Sequence, residues 1–220
     1  MSDVIKYRGF RIIIGIEEDS MNPREFDGNI GVMICSHKRY DLGDVEKSKE
    51  FDFDECSNWD DVREKIIEEN DNGVLILPLY LLDHSGLAIS TTPFSSYWDS
   101  GQIGFIYCSF DKIKEFYNDE ENHLKVMENA LEILREEVKL YDAYLSGQVY
   151  YFTVVEEKDL DNVIMSCGGF YGNTDDLVSY AKEEVDLEIK NKLHNHFRRL
   201  KRQINNKVPL VHRNKCEVVW

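Results

Sequence analysis

Cysteine is scarce and unpaired here: Cys35, Cys56, Cys108, Cys167 and Cys216 include no CxxC spacing. An odd, scattered set argues against a disulfide scaffold or a structural zinc site. Cys35 and Cys108 sit in strand-like runs and read as small core residues, whereas Cys167, beside two glycines, is the thiol expected at the surface. No apolar run approaches the ~20 residues of a membrane span, so no membrane partner is expected. MSDVIKYRGF carries no signal-peptide core, which makes the cytoplasm the expected location. HExxH, HxH, EF-hand and GxSxG patterns are missing, as are internal repeats and low-complexity linkers.

Positive charge is also short, with 26 Lys and Arg against 42 Asp and Glu, a formal charge of −16. Its distribution is uneven. From Leu193 onward seven cations face one acid, a local +6 that leaves −22 for the rest of the chain. An acidic body opposes nucleic-acid binding, whose affinity comes from Lys and Arg neutralising phosphates. Solubility, a basic protein partner for the body and an anionic partner for the basic tail are all compatible with this pattern.

What is present is enough for a core: 220 residues, 42% hydrophobic and 12% aromatic. Phe10–Ile16 and Ile30–Cys35 read as strands. Asn58 or Ser57 can cap a helix over Trp59–Glu69, with Trp59, Val62, Ile66 and Ile67 on one face and Asp71-Asn72-Gly73 ending it. Val74–Leu82, Gly86–Ser90 and Ile103–Cys108 suggest an antiparallel meander. Leu124, Met127, Leu131, Leu134, Val138, Tyr141 and Leu145 draw an apolar stripe on a helix over 121–145, with Gly147 at its C-terminal αL position. Gln148–Val155 follows as a strand, and MSCGGFYG reads as a tight turn. A last helix begins at Asn173 or Thr174, carries Leu177, Tyr180, Ala181, Val185, Ile189, Leu193, Phe197, Leu200 and Ile204 on one side, and stops at Pro209. Glu217–Trp220 can add an edge strand. The fold class is α+β: a mostly antiparallel or mixed sheet covered by helices, a core domain over 1–172 and a C-terminal helical extension with a basic tail over 173–220. So long a stripe on the last helix needs a covering surface, and a homodimer through it is expected.

Pro78–Tyr107 concentrates the polar chemistry. Asp83-His84-Ser85 has catalytic residue types, but alternation along a strand would put His84 opposite Asp83 and Ser85, and a β-turn explains the trio as well. Asp83, His84 and Asp99 are the candidate catalytic residues. A divalent ion would draw on His37, His84, Asp19, Asp27, Asp83, Asp99 and Asp142, which share no ligand spacing. In WDSGQ, Trp98 offers a flat face, while Asp99 and Gln102 offer acceptors and donors. Thr91, Thr92, Tyr144, Tyr150 and Tyr171 are candidates to complete a ligand pocket; the competing reading makes these aromatics core. Asp142 is unfavourably placed for the dipole of its helix, which suggests a specific partner such as Arg24 or Arg39.

The ordered segments NPREFD (Asn22–Asp27), HKRYDLGD (His37–Asp44), LPLYLLDHSG (Leu77–Gly86), TTPFSSYWDSGQIGFIY (Thr91–Tyr107), EVKLYDAYLSGQVYYF (Glu137–Phe152) and SCGGFYG (Ser166–Gly172) resemble an uncharacterised family. Its members are carried by bacteriophages, plasmids, other mobile elements and some bacterial genomes. The resemblance runs from about Ile12 to Gly172. Relatives tend to have tryptophan where Gly168 stands and an acid where Met165 stands. The resemblance implies a mobile-element context and no mechanism. The expected function is therefore an accessory protein, most naturally of a phage, that binds and antagonises a host component, either a defence protein or its nucleotide signal. The expected partner is a host protein or a small nucleotide-like ligand, with no cofactor. The alternatives are a metal-assisted hydrolase of nucleotides or nucleic acid, using a divalent metal, and an acidic nucleic-acid mimic.

Overall fold

A computed structural model describes residues 3–96, 98–117 and 123–207. Arg213, Lys215, the Pro209 stop and the Glu217–Trp220 strand lie outside the described residues. The architecture is α+β, with two four-stranded sheets and a long C-terminal helix. Chain contacts divide it into two compact units, one formed by residues 1–15, 151–167 and 174–220, the other by 16–150 and 168–173.

The first unit is built on β1 (Asp3–Tyr7), β2 (Phe10–Ile16), β7 (Val149–Glu156) and β8 (Asp159–Tyr171), which lie in that order in one sheet. β2 buries Phe10, Ile12 and Ile14 at every second position, as a strand with one covered face must. Helix α5 (Thr174–Lys207) belongs to this unit and buries Leu177, Ala181 and Val185. Phe152 of β7 meets Tyr180 of α5 edge-on at 6.0 Å. The apolar stripe of α5 continues past this covered stretch, and Leu193, Leu200 and Ile204 are exposed. The tight turn expected at MSCGGFYG is corrected: Met165–Tyr171 is the end of the 13-residue β8. Its glycines do take left-handed backbone, Gly169 at φ 78° and Gly172 at φ 84°, but Gly169 does so within the strand.

The second unit is a sheet between helices. Strands β3 (Val32–Cys35), β6 (Ser100–Ser109), β4 (Val74–Asp83) and β5 (Leu87–Ser90) lie in that order. All three pairings are antiparallel. The expected meander is thus also corrected, because β6 returns past β5 to pair with β4 on its other side. Helix α4 (His123–Leu145) covers one face with Val126, Ala130, Leu134, Val138 and Tyr141. Leu124 is 81% exposed. It stands two residues, about 200° of helical turn, from Val126 and so points off the ridge. Helix α2 (Trp59–Glu68) covers the other face, where Val62 and Ile66 pack on Ile34 and Phe105. Asn58 caps it, its side chain accepting from the Asp60 and Asp61 N–H groups. Short helices α1 (Val45–Glu50) and α3 (Phe110–Phe116) complete the unit.

A buried ionic knot fixes the entry to β3. The Arg24 guanidinium, 3% exposed, donates to Asp44 Oδ1 at 2.9 Å, Glu137 Oε2 at 2.7 Å and the Gly31 carbonyl at 2.7 Å. Glu137 Oε1 accepts from the Ile30 and Gly31 N–H groups, and Asp44 Oδ2 accepts from Met33. Burial works against the charge on Arg24, but hydrogen bonds and charge from Asp44 and Glu137 outweigh it and raise its pKa. At Gly31 a Cβ would stand 2.6 Å from Leu134, so only glycine lets this backbone approach α4 so closely.

Candidate functional site

One end of the second unit's sheet opens as a cleft of about 550 Å³. Its position follows from strand ends. β3 stops at Cys35, and Ser36 then donates its N–H to the Ile103 carbonyl at 2.7 Å. That bond holds Ser36–Arg39 beside the start of β6. The facing wall comes from the end of β4 and the segment before β6, joined by the Asp83 N–H to Asp99 carbonyl bond at 2.8 Å. Leu81 and Ile103 form the apolar floor, with Asp83, Trp98, Asp99 and Gln102 around it.

The side chains are largely charge-paired. Arg39 bridges the cleft to the Asp83 carboxylate and lies over the Tyr40 ring at 5.3 Å. His37 stacks on Tyr40, ring centroids 5.1 Å apart and 7° from parallel. His37 Nδ1 accepts from the Arg39 N–H at 3.3 Å, which leaves Nε2 as the edge that can donate. Lys38 and Arg39 balance Asp83 and Asp99. Trp98 is 97% exposed, a large apolar face held in water at the rim. The exposed indole offers a flat apolar face beside polar side chains.

The candidate catalytic residues divide between two contacts. Asp83 is held by Arg39, whereas His84 Nδ1 lies 3.0 Å from Asp99 Oδ2. The alternation argument for Asp83, His84 and Ser85 does not apply, because β4 ends at Asp83. His84, Ser85 and Gly86 form the β4–β5 turn, with Ser85 at φ 57° and the His84 N–H donating to the Gly86 carbonyl. Among the described residues no hydroxyl or thiol is hydrogen-bonded to the His84 ring. Among the described residues, too, no three of His, Cys, Asp and Glu gather as metal ligands, and His84 and Asp99 meet without a third member of the set from Asp19 to Asp142.

Of the candidate ligand residues, Trp98, Asp99 and Gln102 line the cleft. Thr91, Thr92, Tyr144 and Tyr150 lie outside its lining. Ser90 Oγ engages Thr92 just after β5. Tyr144 stacks on Tyr141, 6.1 Å between centroids, and packs on the core under α4. Tyr150 is the second residue of β7. Tyr171 donates its hydroxyl to the Met21 carbonyl at 2.7 Å. Asp142 is corrected as well: its partner is the Ile89 N–H at 2.7 Å, not Arg24 or Arg39. Burial raises its pKa and the Ile89 bond opposes that rise. Sequence reasoning left Ser36, Lys38 and Arg39 out of the site. Their one local signal was the cluster of His and basic residues directly after an apolar strand.

Comparison with protein-family models, curated proteins and solved structures finds no match.

Proposed function

We propose that the protein is a mobile-element accessory protein that acts by binding a host component, and that a nucleotide-like molecule is the occupant its cleft fits best. The observation that carries this is Trp98, 97% exposed above a floor flanked by Lys38, Arg39, Asp99 and Gln102. A base can stack on the indole, an anionic group can meet Lys38 and compete with Asp83 for Arg39, and Asp99 and Gln102 can read a ring edge. The balance of two cations and two carboxylates suits a ligand with both polarities better than a bare polyphosphate. The mobile-element context rests on the motif resemblance, and the cytoplasm is the compartment that goes with it. No described helix is long and apolar enough to cross a membrane.

Binding rather than turnover is favoured because Asp83 is occupied by Arg39 and, among the described residues, no hydroxyl or thiol is hydrogen-bonded to the His84 ring. The His84–Asp99 contact supports the second reading, a metal-assisted nucleotide hydrolase in which Asp99 orients the imidazole. Titration of the purified protein with purine and pyrimidine mononucleotides, with chromatography of the ligand afterwards, separates the two. Binding is expected to leave the nucleotide intact and to weaken at least about tenfold in Trp98→Ala, as loss of a stacking platform does. Absence of binding by any nucleotide defeats the proposal. Turnover abolished by His84→Ala or Asp99→Asn replaces it with the hydrolase.

A homodimer through α5 belongs to the same proposal. Acids on this helix end at Glu188, and apart from Lys182 its bases begin at Lys190. An antiparallel pair sets the acidic half of one helix beside the basic half of the other, whereas a parallel pair stacks like on like.

A further inference from the structure

The cleft does not end at His37. A second cavity of about 190 Å³ shares Ser36 and His37 with it and continues past Tyr40 and Lys49 to Phe53. A third, of about 230 Å³, shares Ser36 and reaches Trp59 of α2, with Phe53 common to the second and third. Ser36 therefore lines all three. We read the three concavities, which adjoin at Ser36, as one groove past the end of β3.

The chemistry along this groove is ordered. One end has the Trp98 ring. The middle has donors: the Ser36 hydroxyl, the Nε2 edge of His37, the Lys38 cation, and the Arg39 guanidinium that holds Asp83. The other end has a second aromatic wall, where Phe53 meets Trp59 edge-on at 6.4 Å and Trp59 meets Phe105 at 6.2 Å. Those contacts pack the second wall against the sheet and leave Phe53 and Trp59 half-buried.

We infer that the groove takes a dinucleotide, one base on Trp98, the phosphate bridge over Ser36–Arg39 and the second base against Phe53 and Trp59. Aromatic, cationic and aromatic surfaces in series match base, phosphate and base in series. This rests on the nucleotide reading above and adds the size of the ligand and the second half of its site. A mononucleotide fills the first cavity alone and leaves the second aromatic wall unused.

Calorimetric titration of the full chain with cyclic di-AMP, cyclic di-GMP and linear pApA, beside AMP and GMP, tests it. A dinucleotide is expected to bind at least about tenfold more tightly than the matching mononucleotide, since one more stacked base contributes about that factor. Phe53→Ala is expected to remove this advantage and leave mononucleotide affinity within about twofold. Phe53 is partly buried, so Ser57→Trp, which fills the third cavity from an exposed position, provides an independent variant with the same selective loss. Equal affinity for mono- and dinucleotides overturns the inference while the single-base cleft survives. Variants that weaken both ligand sizes equally also overturn it. Failure of every nucleotide to bind defeats the nucleotide reading itself.

Discussion

Replacing Arg24 by methionine removes the centre of the buried knot while nearly preserving side-chain length. Four hydrogen bonds are lost, to Asp44 twice, to Glu137 and to the Gly31 carbonyl. Two carboxylates then lack their cation, with side-chain exposures of only 6% at Glu137 and 19% at Asp44. Breaking one partner out of a buried ion pair costs about 3–5 kcal/mol, a large share of the ~5–15 kcal/mol that holds a typical domain folded. With a urea dependence of ~2–3 kcal/mol per molar, the midpoint should fall by about 1–2.5 M. Lys47→Met supplies the control, because Lys47 and Glu50 form an exposed pair three residues apart and its removal should leave the midpoint where it was. Adding Glu137→Gln to the Arg24 variant keeps an acceptor for Ile30 and Gly31 but removes the stranded charge, so stability should partly return. Paired equilibrium denaturation curves measure all of this. The reasoning fails if Arg24→Met costs no more than Lys47→Met, or if the double variant is less stable than Arg24→Met alone. Because the knot fixes the start of β3, whose far end leads into Ser36–Arg39, the same variant should also weaken ligand binding.

Other substitutions probe separate points. Gly104→Ala would place a Cβ 1.9 Å from the Ile34 carbonyl oxygen; β3 should separate from β6, costing more than about 3 kcal/mol and abolishing the cleft, with an unchanged melting temperature as the contrary result. Burial raises the pKa of folded Asp142, so the folded chain binds its proton more tightly than the unfolded chain, and this group's contribution to stability falls as pH rises through the raised pKa. Asp142→Asn, which keeps an acceptor for Ile89, should therefore gain on the parent between pH ~3 and ~7 in urea titrations; a gain that shrinks as pH rises would contradict this. Burial pushes the thiols of Cys35 and Cys108 up to about 12 and about 11, so neither should react with a disulfide reagent at pH ~8 until the chain unfolds; mass mapping of labelled peptides decides it.

Legibility in the sequence followed locality. The Asn58 cap, the Val62–Ile66 face and Gly147 beyond α4, at φ 68°, are short-range patterns and were readable as such. β1, with its Asp3–Tyr7 sequence DVIKY, has too little apolar alternation to stand out. β8 is mostly exposed along its length, so its glycines gave the stronger local signal and suggested a turn. On α4, residues three and four apart offered more than one apolar ridge, and only packing selects Val126 and Ala130 over Leu124. The site was half legible. Trp98, Asp99 and Gln102 lie together in sequence, whereas Ser36–Arg39 join them only through pairing between β3 and β6. Glu137 and Arg24 lie 113 positions apart, and no local pattern announces such a pair.

The division of the chain also sets an order of events during synthesis. The β1–β2 hairpin, complete at Ile16, waits for β7, whose first residue is Val149, before its open edge gains a neighbour. At ~5–20 residues per second that interval lasts roughly 7–27 s, long compared with the microseconds in which hairpins form. Throughout it β2 lacks the neighbour on its second edge, while the α2 and α4 layers of the other unit are being made. The charges of Lys6, Arg8 and Arg11 around that hairpin are then well placed to discourage edge-to-edge association between neighbouring nascent chains.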